Sequence, residues 1–206
     1  MNVKQQIKED ILNCVLPRGK ALRQVELSTR YGVSRIPIRD ALLSLKSEGW
    51  LSPHGKVGVM IPDLNWREAE DIYLMRSTLE PLLLDKAFSA ISSKELEEAR
   101  QYQSELDGEN LSLIRRGELN WAFHQAIYQA ANRGTLQRVV ESLNKQAIRY
   151  LGFQYGPLNY RTTSQSEHSE LLLMIENKDK DKALEHLKRH IEKAGALLVN
   201  YLKEVQ

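Results

Sequence analysis

The chain has 206 residues, 42% of them hydrophobic and 27% charged, which suits one large or two small globular domains and excludes a disordered chain. No run of roughly 18 apolar residues is present to cross a bilayer, Met1–Asp10 is too polar for a secretion signal, and the single cysteine, Cys14, permits neither an internal disulfide nor a multi-cysteine zinc site. A protein of the reducing cytoplasm with no membrane partner is expected. The net charge of +2 is uneven: residues 1–62 carry ten Lys/Arg against five Asp/Glu, and residues 63–206 carry 19 against 22. The basic end is where phosphate binding is expected.

Val3, Ile7, Ile11 or Leu12, and Val15 recur at helical spacing and predict a supporting helix that Pro17-Arg18-Gly19 stops. Val25–Tyr31 reads as a short amphipathic helix ended by Gly32. Ser34 is a good N-cap and Pro37 lies in the first turn, so a helix is predicted from Arg35. Ile38, Ala41 or Leu42, and Leu45 form its buried stripe, while Arg35 and Arg39, four apart, project from another face. The pair has the form of a helix-turn-helix whose second helix enters a DNA major groove; an ordinary helical hairpin with solvated arginines fits the same pattern. After Glu48-Gly49, Trp50–Met60 alternates around His54-Gly55 and predicts a small β-hairpin wing. Its tip, His54, Gly55 and Lys56, either touches DNA or belongs to a hairpin that only covers the core.

From about Ile11 to Met60 the sequence resembles the winged helix-turn-helix domain of the GntR family of bacterial transcription regulators. The matching residues are Gly32-Val33-Ser34-Arg35, Pro37, Arg39, Ala41-Leu42, Leu45 and Glu48-Gly49-Trp50-Leu51. The resemblance implies a homodimer on a double-stranded DNA operator with inverted-repeat symmetry. It places Arg35, Ile36 and Arg39 towards the bases, and Lys46, His54, Gly55 and Lys56 nearer the backbone. Three residues depart from the family habit: Ile36 stands where threonine is usual, Val25 where some relatives carry a DNA-contacting arginine, and Cys14 where glycine is common before the turn. The first two bear on which operator is read.

Ile61–Leu64 is a short linker, giving domains 1–62 and 63–206. Asn65 with Glu68 has the form of a capping box opening a helix from Trp66 to about Ile91, kinked near Pro81. Its stripe of Ile72, Leu79 and Leu83 includes Arg76, which must be paired, with Glu80 four residues on, or must await an anion. Ser92 and Glu95 form a second capping box, for a helix to about Asp107. A short helical turn is expected over 110–117 and a helix over 118–131, ended by Asn132-Arg133-Gly134. A long helix over 135–155 follows, broken by Gly156-Pro157. Ser164 and Glu167 suggest the cap of a helix to about 175, and a last helix runs to about Val205. The expected fold is all-α: a winged helix-turn-helix with a small β-hairpin, then an antiparallel bundle of about six helices.

Asn120 and His124 are four apart and in line with Ile127 and Ala131. His168 shares a stripe with Leu171 or Leu172 and Ile175, and His190 shares one with Ala183, Leu187, Ala194 and Leu197. Three helices thus each send an imidazole inward, either as ligands of one ion or as satisfied core histidines. The bundle resembles the FCD ligand-sensing domain of the FadR branch of the same family, in its six-helix, VanR-like form. The family's metal signature is matched by Asn120, Phe123-His124, Glu167-His168 and His190-Ile191, with Asn120 where aspartate is most usual. The resemblance implies a divalent metal, zinc or nickel ahead of manganese, and leaves His186 on the surface. An ion with neutral ligands beside Arg76 makes a site for a small carboxylate effector: a sugar acid, a hydroxy acid or a dicarboxylate. The reading is a metabolite-responsive regulator, a repressor by preference; a metal-free regulator sensing an apolar ligand is the alternative. An enzyme is not expected, since a di-iron bundle needs Glu-x-x-His on two helices and Glu167 and His168 are adjacent.

Overall fold

The structure is a computed structural model and describes residues 2–56 and 58–205, Tyr155 by its backbone alone; Val57, in the expected wing, lies outside them. Two compact units divide the chain, Met1–Leu64 and Asn65–Gln206. The division falls two residues after the expected 62/63 boundary, at Asn65, which caps the next helix.

In the first unit α1 (Val3–Leu12), α2 (Gln24–Tyr31) and α3 (Arg35–Ser47) precede β1 (Ser52–His54) and β2 (Gly58–Met60). The two strands pair antiparallel with Ser52 opposite Met60, and Leu22 N–H donates to Val59 O at 2.8 Å, so the 18–22 segment lies along the other edge of β2. Ile7, Ile11, Leu27, Ile38, Leu42, Leu45, Trp50 and Ile61 are buried. α1 stops three residues before the expected Val15, and Cys14 turns the chain at φ 57°, the left-handed conformation that suits glycine. Gly32, at φ 65°, ends α2 as expected. Ser34 is the N-cap of α3 but its side chain makes no capping bond; the turn is instead clamped by Ser28 Oγ donating to Val33 O. Asp10 joins α1 to α2 by accepting from Arg30 and Tyr31. Glu48 joins α3 to α1 through Lys4 and Lys8.

The second unit is all-helical: α4 (Trp66–Ala87), α5 (Ser93–Leu106), α6 (Leu113–Tyr128), α7 (Gly134–Ala147), α8 (Leu151–Tyr155), α9 (Arg161–Glu176) and α10 (Lys180–Val205), with short 3-10 turns after α4, α6 and α7. α4 continues through Pro81 as one element and packs along α10. At their contact a Cβ on Gly195 would come within 2.6 Å of Tyr73 Cβ, so only glycine permits this approach. The capping box at Ser92 and Glu95 is present. Five expectations differ. The single helix expected over 135–155 is instead α7 and α8, separated by the 3-10 turn Ile148–Tyr150. Asn65 caps α4 alone, because the Glu68 carboxylate is taken by Arg149 at 2.5 Å and Tyr150 at 2.7 Å. The 110–117 turn and the 118–131 helix merge into α6, because Gly117 is used for close approach to Leu151 and Ile148, not for a break. α9 begins at Arg161, leaving Ser164 inside it and buried. On α10 the inward stripe continues to Leu198, whereas Leu197 is exposed.

Candidate metal centre and nucleic-acid interface

α3 presents Arg35, Ile36, Arg39 and Lys46 to solvent. At about 100° of rotation per residue, Arg35, Arg39 and Lys46 fall on one face, beside the buried arc of Ile38, Ala41, Leu42 and Leu45. Ile36, 64% exposed, is an apolar side chain with no core to join. The Arg39 guanidinium rests on its neighbour: Nε and Nη2 both donate to Asp40 Oδ1, at 3.1 and 3.0 Å. At the hairpin His54, Gly55 and Lys56 are exposed, Gly55 takes φ 61°, and His54 Nδ1 lies 3.3 Å from Met60 Sδ.

In the bundle α6, α9 and α10 bring His124, His168 and His190 together, with one ligand atom from each inside a span of 4.8 Å. Their ring centroids are 5.0, 5.1 and 5.8 Å apart, and Phe123 stacks on His168 at 4.2 Å. Burial, then the charges of the neighbouring histidines and for His124 also of Arg76, pulls His124 and His168 well below the ordinary imidazole range, towards the neutral form that ligation requires.

Each Nδ1 faces an outer partner. His190 Nδ1 donates to Glu167 Oε2 at 2.7 Å, and His168 Nδ1 lies 3.2 Å from Gln165 Oε1. The Gln165 amide is oriented by its NH2 group, which donates to Gln103 O and Asp107 Oδ1, so its oxygen must accept from His168. His124 Nδ1 lies 3.3 Å from the Tyr128 hydroxyl. The other ring nitrogens, Nε2 of His124 and of His168, are buried and have no hydrogen-bond partner among the described residues. Two orphaned lone-pair sites beside a third imidazole fit a divalent ion with nitrogen ligands, since such groups otherwise cost free energy to bury. Asn120 is half-buried one turn before His124 on α6.

Glu167 anchors the outer shell. Burial alone would raise its carboxyl, but donors from His190, Lys193 and Tyr160 hold it at about 2. His186, expected on the surface, is 6% exposed and donates from Nε2 to the Glu167 carbonyl at 2.8 Å; it lies on the inward side of α10 one turn before His190. Arg76 has the internal partner that its spacing offered: Nε donates to Glu80 Oε1 at 2.7 Å, with Arg76 6% and Glu80 0% exposed. Burial opposes the guanidinium charge, but Glu80 together with Tyr73 and Tyr128 outweighs it and raises the Arg76 pKa. Glu80 also accepts from Tyr128 at 2.9 Å and Asn144 at 3.2 Å. Sequence reasoning missed Tyr128 and Gln165, although their spacings, four after His124 and three before His168, place them beside the imidazoles they meet. Glu80's reach to Tyr128, 48 residues away, had no local signal.

Residues 1–61 match the profile of the gntR family of bacterial regulatory proteins, and residues 71–193 match the FCD domain. Among curated relatives, the HTH-type transcriptional regulator YdhC of Bacillus subtilis is 25% identical over 97% of this chain and 90% of its own length. The HTH-type transcriptional repressor RspR of Escherichia coli is 23% identical over 92% and 86%. Among solved structures, a GntR family member from Pseudomonas syringae is 29% identical with a TM-score of 0.61, covering 98% of this chain and 85% of that one. E. coli McbR/YncC is 24% identical with a TM-score of 0.74, covering 97% and 96%. These relatives are regulators, not enzymes, and no helix among the described residues is long and apolar enough to cross a membrane. The chain belongs to the GntR family of DNA-binding transcription regulators, with an FCD domain as its second unit.

Proposed function

We propose that the chain is a metabolite-responsive repressor, acting in the cytoplasm as a homodimer on an inverted-repeat operator, and that its bundle holds one divalent ion through Nε2 of His124, His168 and His190. The observation that carries the metal reading is the pair of buried Nε2 atoms without partners, inside a ring of imidazoles whose Nδ1 atoms are all engaged. An all-imidazole set favours zinc or nickel over manganese, and Asn120 joins as a weak or outer partner. When bound, the ion supplies positive charge and open coordination positions to a carboxylate. The effector is therefore a small organic acid. Arg76 contributes to its site as a buried charge already balanced by Glu80, not as a free fork.

On the operator, Arg35 and Arg39 address base edges and Ile36 an apolar base feature such as a thymine methyl. Lys46, His54 and Lys56 address phosphates, with Gly55 letting the wing tip turn. Arg39 must exchange its Asp40 contact for the base. An effector changes operator affinity only through its preference for one dimer geometry. Operator binding measured against a panel of sugar acids, hydroxy acids and dicarboxylates tests the whole reading. Acids that stabilise the protein should alter operator affinity, and both effects should vanish on chelation. Stabilising ligands that are apolar and indifferent to chelator would overturn it in favour of a metal-free sensor.

A further inference from the structure

A buried chain of hydrogen bonds leads away from the cluster at His124: His124 Nδ1 to the Tyr128 hydroxyl at 3.3 Å, Tyr128 to Glu80 Oε2 at 2.9 Å, and Glu80 Oε1 to Arg76 at 2.7 Å and Asn144 at 3.2 Å. Its protons can be counted. Arg76 and the Asn144 amide nitrogen can only donate here, so the Glu80 carboxylate accepts from both. The Tyr128 hydroxyl has one proton, and the carboxylate takes it. What remains on the Tyr128 oxygen is a lone pair, so His124 Nδ1 must be the donor. With the His124 ring neutral, its proton therefore sits on Nδ1 and its lone pair on Nε2, the buried atom without a hydrogen-bond partner among the described residues, in a ring 5.0 and 5.8 Å from those of His168 and His190.

We propose that Tyr128, oriented by Glu80, is a positioning residue for the metal centre: it fixes His124 in the Nδ1–H tautomer and so presents the Nε2 lone pair to the ion. This rests on the metal reading above for its consequence, though the tautomer itself does not. Arg76 enters as the counter-charge that keeps Glu80 an acceptor, and the chain ties the centre to α4 through Arg76 and Glu80 and to α7 through Asn144. Each of the other two imidazoles has its own acceptor, Gln165 for His168 and Glu167 for His190, so the Tyr128 chain acts on His124 alone.

The test uses full-length protein without a histidine tag, labelled with nitrogen-15 in histidine, as wild type, Tyr128→Phe and Glu80→Gln. In metal-free wild type, the His124 ring nitrogens should report a single Nδ1–H form. Tyr128→Phe keeps the ring's volume and removes the oxygen; His124 should then sample both tautomers, and zinc affinity should fall about 10–100-fold, the range for losing an outer partner of a metal-bound histidine. In Glu80→Gln, an amide NH2 facing Tyr128 reverses the hydroxyl, and His124 should move towards Nε2–H. Should this variant not fold, Tyr128→Phe decides alone. An unchanged His124 tautomer with unchanged zinc affinity in Tyr128→Phe overturns the proposal. A tautomer that moves in a protein binding no zinc supports the relay and overturns the metal reading instead.

Discussion

In the first unit Arg35 and Arg39 stand exposed on one face of α3, and Arg39 is held by an exposed neighbour, Asp40. In the bundle Arg76, Arg116 and Arg149 are each 6% exposed, and each meets oxygens of its own chain: Glu80 for Arg76, the Leu106, Gly108 and Glu109 carbonyls for Arg116, and Glu68 for Arg149. On the reading proposed above, the same side chain serves recognition in one unit and architecture in the other. An exposed guanidinium loses little when it trades water and a weak surface pair for a phosphate or base. A buried one is fixed by the cost of leaving its charge and its acceptors unpaired.

The largest effect should come from breaking a buried pair. Glu80→Ala leaves Arg76 uncompensated and should destabilise the bundle by about 3–5 kcal/mol in urea unfolding, whereas Arg76→Met with Glu80→Met together should cost less than the single change. A loss no greater than that of a surface pair would erase the contrast between the units. Next, Arg39→Ala should leave stability unchanged, weaken operator binding by about 1–3 kcal/mol and relax its specificity. Lys56→Ala should weaken all sequences alike and lower the salt slope by about 1. Gel-shift titrations at several salt concentrations separate the two.

Smaller effects sharpen the comparison within the first unit. Cys14 holds a left-handed conformation that glycine adopts without strain, so Cys14→Gly should stabilise this unit by about 0.5–1 kcal/mol in thermal unfolding. Glu48 is half-buried; burial would raise its carboxyl, but Lys4, Lys8 and Ser44 hold it at about 2 instead of 4.5. A depressed carboxyl gives stability that is complete above the unfolded value and lost as pH falls towards the folded one. Stability of this unit should decline between about pH 4.5 and 2, and the decline should be shallower in Glu48→Gln when both are followed by acid titration.

The first unit was legible because its signals are local. The start of α3 at Arg35, Gly32 at its left-handed turn and the hairpin about Gly55 each follow from a few adjacent residues. The bundle was legible in helix periodicity, which places His124, His168 and His190 inward, and less so wherever a tertiary partner outbid a local one. Glu68 left its capping box for Arg149 and Tyr150. Ser164 gave up a cap because α9 starts earlier, where Tyr160 is pinned to Glu167. His186 was misplaced because its burial depends on a carbonyl of α9, 19 residues away. Arg76 was seen to be inward from its stripe, and its choice between Glu80 and an anion is decided for Nε by a carboxylate that is itself fully buried.

The most direct measurement is the metal content of protein purified without a histidine tag, by emission spectrometry, before and after incubation with zinc or nickel. One divalent ion per chain, lost in His168→Ala, is the predicted result. Protein that remains metal-free after both incubations would contradict it, and His124, His168 and His190 would then be core packing.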